Sequence, residues 1–225
     1  MSSSTVFDPT ARPPRGALGT AMIDLGALDA ASVHRHPFDF FAVPEFLKPD
    51  ALAAAIASYP DIPGPGNHRP ETCSYGPAFG ALLDELRSPA LRERVEAKFG
   101  VDLSTSRLTI TIRRYCEPTD GHVHTDHRTK VVTMLVYLND GWQDEGGRLR
   151  FLRSEDLEDY EAEVAPLGGT MIAFRRSDHS YHGHKPYVGE RRMIQMNWVR
   201  EGVLDRYEKR LNRLTKPVRR LLNKS

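Results

Sequence analysis

The hydrophobic period of this chain changes once, at Gly100, and that change limits the folds open to it. Before Gly100 the patterned segments are helical. Pro49-Asp50 opens an alanine-rich stretch that predicts a helix over 50–59, ended by Pro60, which disfavours helical backbone in the residue before it. Two more helices are predicted over 78–87 and 89–99. The second has Ser88 at its N-cap, Pro89 in its first turn and Gly100 just past its end. The intervening stretch 61–77 holds too many Pro and Gly for either regular element and reads as a long loop. Beyond Gly100 the period is two. RLTITIRRY (107–115) alternates, VVTMLVYL (131–138) is an apolar run rich in β-branched residues, and shorter strands are predicted at 148–152, 162–165, 169–175 and 191–199. Turn signals separate them. Helices followed by many short strands predict an α+β, mainly β chain: an antiparallel barrel or jelly roll with helices on one outer face.

Four regions follow. Residues 1–35, rich in Ser, Pro, Arg and Gly and without a sustained period, read as a flexible N-terminal arm. Residues 36–104 form a helical support region and 105–200 a β core. In 203–222, Val203, Leu204, Tyr207, Leu211, Leu214, Val218, Leu221 and Leu222 recur at steps of three and four with Lys/Arg between them, so 201–225 reads as a basic amphipathic C-terminal helix. Its stripe suits packing on the domain or a partner, or a peripheral contact with anionic membrane. The tail has eight Lys/Arg against three Asp/Glu, which leaves 23 basic and 27 acidic residues before it. An acidic body argues against nucleic acid. The two cysteines form no CxxC pair, the N-terminus has no apolar secretory core, and no 18-residue apolar run occurs, so a cytoplasmic chain is expected.

Six of the nine histidines fall in two groups: His122, His124 and His127, then His179, His182 and His184. His124-Thr125-Asp126 spells HxD, a weak signal by itself. On extended backbone, however, residues two apart project to one face, so these two side chains can reach a common point. A third ligand must come from another strand, where the second group lies. Two histidines and one carboxylate leave open positions on an octahedral ion, the pattern of non-haem Fe(II) oxygenases, and the lack of paired thiolates argues against structural zinc.

From Thr105 to Arg200 the sequence resembles the Fe(II)/2-oxoglutarate-dependent dioxygenases, within them the prolyl-hydroxylase-like group. The resemblance rests on Tyr115 before His124 and Asp126, then Tyr137-Leu138-Asn139, Trp142, Gly146-Gly147-Arg148-Leu149, His182, Pro186, Arg192 and Trp198. It implies a double-stranded β-helix (jelly roll) core, N-terminal helices packed on one sheet, and Fe(II) held by His124, Asp126 and His182. It further implies 2-oxoglutarate and O2 as co-substrates, with ascorbate to keep the iron reduced. Proline four residues on and arginine ten residues on select His182 over its neighbours. For the 2-oxoglutarate carboxylate the resemblance implies Arg192, six residues before Trp198, assisted by Tyr115. A polar-face pattern instead favours Arg191, which would share a face with Gln195 and Asn197. His127, Arg128, Asn139 and Trp198 are candidates for contacts with substrate or with the ligands. A carboxylate at Asp126 implies hydroxylation of a small-molecule or peptidyl substrate, with release of succinate and CO2. Two other classes fit less of the sequence. A cupin-like metalloprotein would use His122 and His124 but leaves the arginine without a role, and a non-catalytic barrel adaptor acting through its basic tail leaves the ligand set unexplained.

Overall fold

The chain was analysed as a computed structural model, which describes residues 21–200. The helical boundaries lie where the local signals put them. Helix α2 (Pro49–Ala57) begins with proline, α3 (Pro77–Leu86) likewise, and α4 (Pro89–Phe99) is capped by Ser88, whose hydroxyl accepts from the Leu91 N–H. Gly100 closes α4 at φ +61°, a left-handed conformation that a side chain would strain.

The expected N-terminal arm ends earlier than the composition suggests. Residues 21–35 are built into the core: Met22, Ile23 and Leu28 are buried, and a one-turn helix α1 (Leu25–Ala30) is capped by Asp24. Six helical residues are too few to display a period, which is why the pattern missed them. The expectations for residues 1–20 and for the C-terminal helix lie outside the described residues.

Eight strands follow or interleave with the helices: β1 (Phe40–Val43), β2 (Ser106–Cys116), β3 (Lys130–Tyr137), β4 (Leu149–Leu152), β5 (Tyr160–Val164), β6 (Met171–Arg175), β7 (His182–Gly183) and β8 (Gly189–Arg200). They form a five-stranded sheet in the order β1-β6-β3-β8-β2 and a three-stranded sheet in the order β5-β4-β7, all antiparallel. The large sheet is covered on both faces, so β3 reads as a nearly continuous apolar run. One face carries Ile110, Ile112, Val132, Met134, Val136, Ile194, Met196 and Trp198 against Phe79, Leu82, Leu86, Leu91 and Val95 of the helices. The other carries Leu135, Tyr137, Ile172, Phe174 and Met193, packed with Phe38 and Phe40 against Leu149 and Phe151 of the small sheet. Phe40 and Phe151 stack with ring centroids 4.0 Å apart. Each fully buried side chain of this kind contributes about 1.5–3 kcal/mol by leaving water. The 61–77 loop covers the free edge of β2, where the His68 backbone pairs with Ile112 in both directions.

Candidate metal centre

The site forms in the space between the sheets, at one end. The two-residue strand β7 puts His182 beside Phe151 of β4, and on its other side His182 and His124 exchange backbone hydrogen bonds of 3.0 and 3.1 Å. This bridge brings together segments 58 residues apart and sets the two imidazoles beside each other, with ring centroids 4.4 Å apart and planes inclined by 55°. Asp126, two residues beyond His124, projects to the same side. One ligand atom from each of His124, Asp126 and His182 lies within 4.8 Å of the others.

Each donor is oriented by a second contact. The Nδ1 atoms of His124 and His182 lie 2.8 and 2.9 Å from the carbonyls of His122 and Ser180. Both Nδ1 atoms therefore carry the proton, and each Nε2 keeps its lone pair as a metal donor. Asp126 is buried. Its Oδ1 accepts from Lys130 Nζ at 2.6 Å, its Oδ2 from the Thr133 hydroxyl, and its backbone carbonyl from Arg176 Nε at 3.1 Å. Burial opposes ionisation of Asp126, but the Lys130 ammonium, His182 and the Thr133 hydrogen bond outweigh it and hold the carboxyl below its usual range. Burial pushes the His182 imidazole down to about 4, with the Asp126 carboxylate pulling the other way, so it is neutral at pH 7. Two imidazole nitrogens and one ionised carboxylate are the donor set that suits a non-haem ferrous ion.

A second polar feature lies in the same inter-sheet space. Arg191 of β8 is 2% exposed. Its Nε donates to the Gly147 carbonyl at 2.9 Å, its Nη2 to the Tyr137 hydroxyl at 3.1 Å, and its Nη1 lies 3.2 Å from Met193 Sδ. No carboxylate among the described residues pairs with it. A buried charge without a counter-ion costs several kcal/mol, so this guanidinium is built for an anionic ligand. His184, buried nearby, is pushed down to about 4 by burial and by Arg191.

Arg192 sits elsewhere. Its guanidinium faces the helices, binds Glu190 Oε1 through Nε (3.0 Å) and Nη2 (2.9 Å), and lies over the Tyr59 ring. Glu190 also takes Arg114, which pairs with Asp61, so Arg192 already has its anion in an outer ion-pair cluster. The six-before-tryptophan spacing selects a helix-facing position, because Trp198 itself faces the helices and an even step along β8 returns to that face. The alternation of Arg191, Gln195 and Asn197 is the signal that finds the inward arginine.

Other expected residues divide similarly. Tyr115 has the Arg114 guanidinium 5.1 Å from its ring centroid, and Tyr137 is the tyrosine that meets the buried arginine. Asn139 knits strands: Nδ2 donates to the Pro166 and Arg192 carbonyls and Oδ1 accepts from the Arg192 N–H. His127 and Arg128 are exposed, with His127 Nδ1 2.9 Å from the Thr129 hydroxyl. His122 and His179 are exposed and outside the triad. Thr133 and Asn197 (3.1 Å apart) were not singled out, although a lone threonine within the apolar β3 run and an asparagine in β8 mark the polar side of the cavity.

Residues 110–200 match the family model described as 2OG-Fe(II) oxygenase superfamily. Solved structures similar to the chain include a prolyl-4-hydroxylase from Pseudomonas putida, with 22% identity, TM-score 0.51, and coverage of 72% of this chain and 86% of that one. A prolyl hydroxylase from Trichoplax adhaerens, solved with a hypoxia inducible factor peptide fragment, has 19% identity, TM-score 0.52, and coverage of 72% and 84%. A prolyl 4-hydroxylase from Phytophthora capsici has 16% identity and TM-score 0.50, and the match spans 73% of this chain but only 59% of that one. A comparison with curated proteins gives no match. The chain shares the fold of these prolyl hydroxylases. Residues 110–200 thus carry the match to the 2OG-Fe(II) oxygenase superfamily, and together with the His-Asp-His cluster they support an enzyme that uses Fe(II), 2-oxoglutarate and O2. No helix among the described residues is long and apolar enough to cross a membrane.

Proposed function

We propose that the enzyme hydroxylates a small-molecule or peptidyl substrate, releasing succinate and CO2, on a double-stranded β-helix core built from the two sheets. His124 Nε2, the Asp126 carboxylate and His182 Nε2 hold the ferrous ion. Arg191, with the Tyr137 hydroxyl, holds the distal carboxylate of 2-oxoglutarate. The bound metal, with 2-oxoglutarate and O2, supplies oxidation of a C–H bond as 2-oxoglutarate loses CO2.

The chain's own residues prepare this site. The His122 and Ser180 carbonyls fix which imidazole nitrogens donate. Lys130 and Thr133 hold Asp126 ionised and in one orientation before the metal arrives. Phe174, whose ring centroid is 4.5 Å from that of His182, and the aromatic cluster behind it exclude water from that flank.

The observation that carries this reading is the carboxylate-free guanidinium of Arg191 on the same face of the large sheet as Thr133, which holds the Asp126 carboxylate. The metal ligands alone would suit other non-haem chemistry, whereas the buried cation calls for an acidic co-substrate. Anaerobic addition of Fe(II) and 2-oxoglutarate should give a weak visible charge-transfer band, absent in His124→Ala and His182→Ala. Succinate release across a panel of metabolites and peptides then identifies the substrate. A wild-type enzyme that binds Fe(II) but gives no band with 2-oxoglutarate would overturn the proposal.

A further inference from the structure

A cavity of about 520 Å³ opens at the end of the large sheet where β3 begins and β6 and β8 end, and its lining is unusually cationic. Among the described residues, Arg128, Lys130, Arg175, Arg176 and Arg200 line it, with Asp102 the one acidic residue. Lys130 and Arg176 are shared with the metal site: one donates to the Asp126 carboxylate, the other to the Asp126 backbone carbonyl. The cavity wall is therefore one hydrogen bond from the proposed iron ligand.

The charges are only partly neutralised. Lys130 is paired with Asp126, Arg176 with Asp178 at 2.7 Å, and Arg175 reaches Asp39 at 4.0 Å. The Asp102 carboxylate is taken up by the Ser104 N–H. Neither Arg128 nor Arg200 has a side-chain ion pair or hydrogen bond among the described residues. Guanidinium groups gathered from the loop after Asp126 and from the ends of β6 and β8 repel one another and raise the local concentration of anions. Arginine's planar fork suits phosphate and carboxylate oxygens.

We infer that this cavity seats the anionic end, a phosphate or paired carboxylates, of a small-molecule substrate. The inference rests on the oxygenase reading above and narrows its substrate class. The volume lies within the range of about 300–1,000 Å³ typical of small-molecule sites.

The test is calorimetric titration of the full chain with Fe(II) and 2-oxoglutarate bound, without oxygen. Sulfate stands in for a phosphate group, tricarballylate for clustered carboxylates, and glycerol is the neutral control. One of the two anions should bind, more weakly as salt rises, and glycerol should not. The Arg128→Ala/Arg200→Ala double variant should bind that anion about tenfold more weakly or worse, since it loses two charge-assisted contacts. Both arginines are exposed, so the variant should keep the wild-type melting temperature and charge-transfer band. Binding of neither anion, or equal binding by the double variant, overturns the inference. So does binding of polyglutamate alone, which would assign the surface to an acidic protein. A missing band in the wild type would instead strike at the oxygenase reading, while the anion titration would still report on the cavity.

Discussion

Replacing Arg191 and Arg192 one at a time separates the two adjacent guanidinium groups by function. Arg191→Met removes the buried cation and leaves the distal carboxylate of 2-oxoglutarate facing Tyr137 and Met193 without a counter-charge. Stranding one member of a buried ion pair costs about 3–5 kcal/mol, equivalent to 2-oxoglutarate binding about 10²- to 4 × 10³-fold more weakly. Arg192→Met removes a partly exposed pair with Glu190, for which about 0–1 kcal/mol of stability is at stake, and Arg114 remains to hold that carboxylate. Its 2-oxoglutarate affinity should stay within about threefold of wild type on the same scale. The assay is anaerobic titration of the charge-transfer band with 2-oxoglutarate at saturating Fe(II), with thermal melts to confirm that each variant is folded. Loss of affinity in Arg192→Met comparable to that in Arg191→Met, or an Arg191→Met enzyme with wild-type affinity, would refute the assignment.

Acid should destabilise the metal-free protein before the carboxylates titrate. His182 and His184 are held at about 4 by burial, against about 6.5 in an unfolded chain, so the unfolded state binds the extra protons in that window. Stability should therefore fall as pH drops from about 6.5 towards about 4, by up to about 3 kcal/mol per imidazole. Urea midpoints in the presence of a chelator at pH 7 and pH 4.5 check this, and equal midpoints would contradict it. Gly121→Ala should cost roughly 2–4 kcal/mol, because Gly121 has φ +85° and an added Cβ would run into the His184 ring. Chemical denaturation reads that cost, and an unchanged midpoint would show that the 117–122 turn yields freely.

The local signals in this chain were strong where the physics is local. The Ser88 cap, the prolines at 49, 77 and 89 and the left-handed Gly100 fixed the helices, because a cap or a proline acts within one turn. Period-two patterning located β2, β3 and β8, since a sheet buried against helices demands an apolar face. HxD placed two candidate ligands together because residues two apart on extended backbone share a side. The sequence by itself thus determined a helical layer, a β core and a metal-binding chemistry. Tertiary structure decided which arginine turns inward, since neighbours on a strand face opposite ways and only packing shows which side meets the helices. It also made Tyr137 the partner of that arginine, drew residues 21–35 into the core, and gathered Arg128, Lys130, Arg176 and Arg200 from three stretches of chain into one cavity. Such long-range convergence depends on strand order and register, which hydrogen bonds between distant segments set and no local pattern encodes.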